Sequence, residues 1–180
     1  MANTKKSENT AYQKLKTDVA AGNIGSLYVF HGQEDYLKTH YLERIRALCG
    51  GEEILLDTEH IDPQVLYDAV DTIPFGSERK LVVVRDYKLM QPTAEMKEVL
   101  TEILSNLPPY VCVVFYFETV EFKPDKRLNL YKILEQHGEI VLFEQASSAD
   151  LIPWLKRRFA ALKKNINTAE CEYMLFLCDW

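Results

Sequence analysis

Residues 81–84 (LVVV) and 111–117 (VCVVFYF) run without polar alternation. A strand that meets solvent on one face alternates apolar and polar side chains, so such runs belong to strands covered on both faces, as in the parallel sheet of an α/β domain. Residues 26–30 (SLYVF), 53–57 (EILLD) and 139–143 (EIVLF) read as three further strands, and segments of helical spacing lie between all five runs. Parallel strands need crossovers, which helices supply. The expected fold is a three-layer α/β domain with a mostly parallel five-stranded sheet flanked by helices.

The connecting segments carry start and stop signals. Tyr12, Leu15 and Val19 predict a leading amphipathic helix over residues 10–21, stopped by Gly22, with the polar residues before Asn9 frayed. Leu37, Tyr41, Ile45 and Leu48 predict the inward face of a second helix, and Asp62-Pro63 the N-cap and first turn of a third that turns Leu66, Ala69 and Val70 inward. Thr93 caps a helix whose Met96, Val99, Leu100, Ile103, Leu104 and Leu107 form the clearest 3.6-residue stripe, a core-packing pattern rather than a cofactor site; Pro108-Pro109 end it. Leu128, Tyr131 and Leu134 mark a fifth helix closed by Gly138.

The pattern changes after Glu144. Ser147-Ser148 cap a helix with Leu151, Trp154, Leu155, Phe159 and Leu162, and after a break at residues 165–168 Cys171, Met174, Leu175 and Cys178 resume helical spacing to residue 180. Two helices alone bury such faces poorly. Residues 1–144 are therefore expected to form one α/β domain and residues 145–180 part of a small helical one, a division that a length of 180 residues allows.

Composition excludes several classes. No apolar run approaches the roughly 20 residues that span a bilayer, and the opening MANTKKSENTAY has no signal core, so a cytoplasmic protein without a membrane partner is expected. A net charge of −6 argues against a free-standing nucleic-acid binder, though not against DNA contacts inside a larger assembly. Cys49, Cys112, Cys171 and Cys178 form no CxxC pair and read as apolar core residues. His31, His40, His60 and His137 lack metal-ligand spacing. No metal or cofactor is expected.

The turn after the first strand, residues 31–35 (HGQED), lies where a nucleotide-binding domain places its phosphate loop. Such a loop needs several glycines, a Lys and a Ser or Thr. This one offers one glycine, while Glu34 and Asp35 put carboxylates at the helix N-terminus that would otherwise attract an anion. ATP hydrolysis is not expected. Two enzyme alternatives compete: an ATPase with an atypical loop, and a response-regulator-like receiver domain using Glu34-Asp35 and Asp57. In a receiver a complete βα unit separates the acidic pair from the phosphoacceptor, whereas here the two strands are consecutive. Asp86, at another strand end, lacks the acidic neighbour of an ATPase and reads as a carboxylate that caps or solvates a turn.

Residues 71–86 (DTIPFGSERKLVVVRD) read as a helix end, a turn and a buried strand. Pro74 stops the helix and Gly76 permits a reversal, which leaves Phe75 near the tip. An aromatic there either folds back onto the domain or anchors a partner protein.

Residues 25–37 (GSLYVFHGQEDYL), 73–85 (IPFGSERKLVVVR) and 125–127 (DKR), with Asp150-Leu151 followed by Trp154, resemble in order and spacing the delta subunit of the bacterial DNA polymerase III clamp loader. The resemblance implies a RecA-like, AAA+-type domain followed by a three-helix lid, here incomplete, in a subunit without a nucleotide site. It implies a C-terminal collar domain absent from this chain, through which clamp-loader subunits form a pentamer. It also implies a protein that binds the sliding clamp (beta subunit) and helps open the ring for loading on DNA during replication, with delta prime, gamma/tau and primed DNA as further partners. The family is classed with the DNA-directed DNA polymerase III holoenzyme, a nucleotidyltransferase, but no catalysis is expected of this subunit itself. The clamp-binding element corresponds to Ile73, Pro74, Phe75 and Gly76, with Pro74 where family members often carry Leu. Glu78, Arg79 and Lys80 would orient the encounter, and Lys156, Arg157, Arg158, Lys163 and Lys164 form a candidate DNA-facing group, although charge runs on helices are more often solvated faces.

Overall fold

The computed structural model describes residues 2–57 and 61–178, without the side chains of residues 2–9; His60 and Trp180 lie outside the described residues. In chain order the elements are α1 (Ala2–Ala20), β1 (Leu27–Gly32), α2 (Asp35–Leu48), β2 (Glu53–Asp57), α3 (Pro63–Asp71), β3 (Lys80–Arg85), α4 (Ala94–Ser105), β4 (Val111–Tyr116), α5 (Asn129–His137), β5 (Glu139–Phe143), α6 (Ser148–Ala161) and α7 (Thr168–Leu177). The predicted sheet is present. All pairings are parallel, in the order β2-β3-β4-β1-β5, with Val82 and Leu27 both opposite Val113.

The strand runs lack polar alternation because both faces are covered. On one face Val29, Val82, Val84, Val113 and Phe115 share a core with Leu66 and Val70 of α3, Leu100 and Leu104 of α4, and Leu134 of α5. On the other, Phe30, Leu81, Val83, Val114 and Val141 pack with Leu15 and Val19 of α1 and Leu42 and Ile45 of α2. The two edge strands are covered less completely: in β2 Ile54 and Leu56 lie against the first core while Leu55 is exposed, and in β5 only Val141 and Phe143 are buried. The caps follow the sequence, with Asp62 accepting from the Gln64 amide and Thr93 from the Met96 amide.

Some bounds and faces differ from expectation. The leading helix runs back to Ala2, since nothing before Thr10 breaks a helix. The inward face of α2 is Lys38, Tyr41, Leu42 and Ile45, whereas Leu48 is exposed. A lysine replaces a leucine in that face because its amine finds a partner inside, as described below.

The chain divides into two compact units, Met1–Phe143 and Glu144–Trp180. In the second, Ser147 with Asp150 and Asn167 with Glu170 build reciprocal capping boxes at the starts of α6 and α7. Cys171 is the buried residue of this pair, and α6 has none. Cys178 is exposed, which corrects its reading as a core thiol: it shares the Cys171 face but is the C-cap beyond Leu177, at the end of α7 rather than within it. Among the described residues, no helix is long and apolar enough to cross a membrane.

Candidate functional site

The turn between α3 and β3 shows Phe75 almost entirely to solvent, 97% exposed, with Ile73 at 73%. Phe75 does not fold back onto the domain. Yet the backbone that carries it is tied at several points. At the entry, the Lys80 amine donates to the Thr72 carbonyl and the Tyr110 hydroxyl to the Asp71 carbonyl at 2.8 Å. At the apex, the Phe75 amide donates to the Glu52 carboxylate at 2.8 Å. At the exit, the Ser77 hydroxyl donates to the Arg79 carbonyl at 2.8 Å, and the Arg79 guanidinium donates to the carbonyls of Ile24, Gly25 and Val111 at 2.9, 3.0 and 3.2 Å. Gly76 adopts φ +91°, a left-handed conformation that side chains strain, so the reversal beside Phe75 depends on glycine.

Lys80 and Arg79 therefore have a role different from the expected one. The Lys80 side chain is fully buried, and desolvation pushes its pKa down against the opposing charges of Glu52 and Asp71. Arg79 spends its terminal guanidinium nitrogens on main-chain carbonyls. Both brace the turn from beneath rather than face a partner, because a carbonyl-lined interior offers them stronger hydrogen bonds than an open surface does.

The β1–α2 turn is organised in the opposite sense. Gly32 has φ +113°, and a β-carbon there would lie 2.2 Å from the Phe143 carbonyl oxygen. The Glu34 amide donates to that same carbonyl at 3.1 Å, so a group that would face a phosphate is used by β5. Lys38, one turn into α2 and 1% exposed, donates its amine to the Phe117 carbonyl at 2.7 Å and pairs with Asp35 at 2.8 Å. His31 is buried beside Phe122, and burial, then the Lys38 charge, lowers its pKa to about 4. It is neutral near pH 7. The lysine at this end is thus committed to the fold, and the histidine adds no charge for an anion.

The other singled-out residues fall as follows. Asp86, at φ 49°, accepts from the amides of Glu118, Thr119 and Val120 at 2.8, 3.0 and 3.0 Å and from the Thr119 hydroxyl at 2.8 Å. These hydrogen bonds hold its pKa below the usual range against desolvation, and they make it the turn cap that was expected. Asp57 ends β2 while Glu34-Asp35 follow β1, and β3 and β4 stand between those strands. Three strand spacings, about 14 Å, separate the ends of the two strands, too far for one phosphoryl-transfer pocket. Lys156, Arg157 and Arg158 are exposed, but three successive helical residues turn through about 200° and fan around α6 rather than forming one stripe. Lys156 donates to Thr168 at 2.7 Å, Arg158 lies over the Trp154 ring at 5.3 Å, and Lys163 and Lys164 follow the helix end, also exposed. No group of His, Cys, Asp and Glu among the described residues is arranged to hold a metal.

Sequence reasoning missed Glu52 and Lys38. Lys38 left a signal, a cation three and four residues before Tyr41 and Leu42 on the buried stripe. Glu52 left none, since its partner Phe75 is 23 residues away.

A family model described as DNA polymerase III, delta subunit, matches residues 28–144, more than half of the chain. The DNA polymerase III subunit delta of Bacillus subtilis (strain 168) is 27% identical over 172 residues, 88% of this chain and 48% of that protein. The solved Bacillus subtilis DNA clamp loader delta protein (YqeN) superposes with a TM-score of 0.67 at 21% identity, over 90% of this chain and 51% of that one. A solved Thermotoga maritima RuvB variant superposes with a TM-score of 0.53 at 12% identity, over 93% of this chain and 54% of that one. These likenesses establish an AAA+-like fold, and the chain spans about half the length of the curated relatives it matches. From the strand order, the turn geometry and the matched residues together, the chain belongs to the DNA polymerase III delta subunit family.

Proposed function

We propose that this protein binds a ring-shaped sliding clamp through Ile73, Pro74, Phe75 and Gly76 and helps open the ring for loading on DNA, without hydrolysing ATP itself. The observation that carries this reading is Phe75, 97% exposed at the tip of a backbone turn tied on both sides. An aromatic held outward on a fixed turn loses little freedom on docking. Burying a Phe is worth about 1.5–3 kcal/mol, against about 0–1 for an exposed ion pair, so affinity rests on Phe75 and its apolar neighbour Ile73. Pro74 fixes one backbone angle between them.

Ring opening follows only if the open ring is bound more tightly than the closed one, because a ligand shifts an equilibrium by its differential affinity. The inward commitment of Lys38 and of the Glu34 amide supports a subunit that does this without nucleotide. Control by ATP then comes from sibling clamp-loader subunits, delta prime and gamma/tau, with primed DNA reached in the assembled complex. In this reading residues 145–180 are part of the lid, which the separate compactness of the second unit supports.

Phe75→Ala is expected to weaken binding to a purified bacterial sliding clamp at least about tenfold, by surface plasmon resonance, while the melting temperature stays nearly unchanged. A large fall in melting temperature with unchanged clamp affinity overturns the reading.

A further inference from the structure

We propose that Glu52 is the positioning residue that holds Phe75 ready for its partner, an inference that rests on the clamp-binding reading. The Glu52 main chain is fixed, because its carbonyl accepts from the Leu81 amide at 2.9 Å, next to the Glu53–Leu81 register of the β2–β3 ladder. Its carboxylate then reaches across to the apex of the turn, where it accepts from the Phe75 amide at 2.8 Å; the Ser77 hydroxyl, whose proton goes to the Arg79 carbonyl, lies 3.3 Å away. One residue thus connects a sheet strand to the residue just before Gly76.

That link matters because of where the other ties act. Lys80 and Tyr110 secure residues 71 and 72, and Arg79 secures the return to β3. None of the three reaches the apex. Around Gly76 there is open space, and glycine is the residue with most backbone freedom to lose, so an untied apex samples many orientations of Phe75. A binding-competent turn that is populated only part of the time weakens apparent affinity by that fraction. Glu52 acts on affinity through this population, and its own carboxylate need not touch the partner.

The test is a double-mutant cycle on the 180-residue chain against an immobilised purified sliding clamp, with Glu52→Ala, Glu52→Gln, Phe75→Ala and Glu52→Ala/Phe75→Ala. Glu52→Ala is expected to weaken binding about three- to tenfold, as for the loss of one ordinary, solvent-accessible hydrogen bond. Glu52→Gln keeps an acceptor oxygen and is expected within about twofold of native, and adding Glu52→Ala to Phe75→Ala is expected to cost less than about twofold more. In the unaltered chain, deuterium exchange at the Phe75 amide is expected to be slowed at least about tenfold relative to an unstructured peptide, despite the exposure of its side chain. Native-like affinity in Glu52→Ala beside a weakened Phe75→Ala overturns the inference and leaves the clamp-binding reading standing. So does an equal loss from Glu52→Ala in both backgrounds, or an unprotected Phe75 amide. Unchanged affinity in Phe75→Ala overturns both.

Discussion

The β1–α2 turn and the α3–β3 turn lie at opposite ends of a parallel sheet, and each has a buried lysine that donates to a main-chain carbonyl, Lys38 to Phe117 and Lys80 to Thr72. The outcomes are opposite. At the first turn the amine, the Glu34 amide and the neutral His31 all serve the interior, and the position of a phosphate loop is closed by the protein's own groups. At the second, the same device fixes the root of a turn whose most apolar residue stays outside. A buried cation on a carbonyl is therefore not a signature of either a ligand site or a plain core. What decides is whether the neighbouring side chains are drawn in with it or left free to meet another surface.

If the first end is purely structural, its residues should control stability and leave clamp affinity alone, the reverse of Phe75. Lys38→Ala removes a buried side chain and leaves the Phe117 carbonyl unsatisfied, so a loss of roughly 2–5 kcal/mol in urea unfolding is expected, with clamp binding of the folded fraction unchanged. A nucleotide that restored stability to this variant would break the comparison. The next effect is on pH dependence. The folded His31 pKa of about 4 lies below its ordinary 6.5, so the unfolded chain takes up a proton first as pH falls. Stability should be complete above pH 6.5 and fall by up to roughly 3 kcal/mol towards pH 4, a slope absent in His31→Leu. Asp86, whose pKa is lowered, loses its contribution only below the ordinary carboxylate range, which keeps the two windows apart. The smallest effect concerns the second unit. Because Arg157 and Lys164 belong to no single stripe, Arg157→Gln/Lys164→Gln is expected to change affinity for a primed DNA less than about twofold, and a drop in salt slope of about two would instead assign them to phosphates.

The strands and their parallel arrangement were legible because two-sided burial leaves an unbroken apolar run, as in residues 111–117, and because caps such as Asp62, Thr93 and Ser147 act on amides only a few residues away. The location of the 73–76 turn was legible for the same local reason, a proline and a glycine around one aromatic. The orientation of Phe75 was not. Whether an aromatic in a turn folds back depends on what lies beneath it, here Glu52 and the Arg79 and Lys80 braces, whose partners are distant in sequence. Lys38 was not legible because apolar residues mark a buried stripe in sequence, while the helix face that meets the sheet includes a cation whose acceptor lies 79 residues on.

Gly32 would be the natural starting point for anyone hoping to build triphosphate binding into this scaffold, since it is the one glycine in the loop between β1 and α2. The structure assigns it a different employer. With the Phe143 oxygen sitting where its β-carbon would go, Gly32 is the clearance that lets the outermost strand close against its neighbour. Enriching the loop in glycine would therefore not recreate an anion cradle; the Lys38 ammonium would first have to be evicted from its internal berth, and the fifth strand would have to find another amide to lean on.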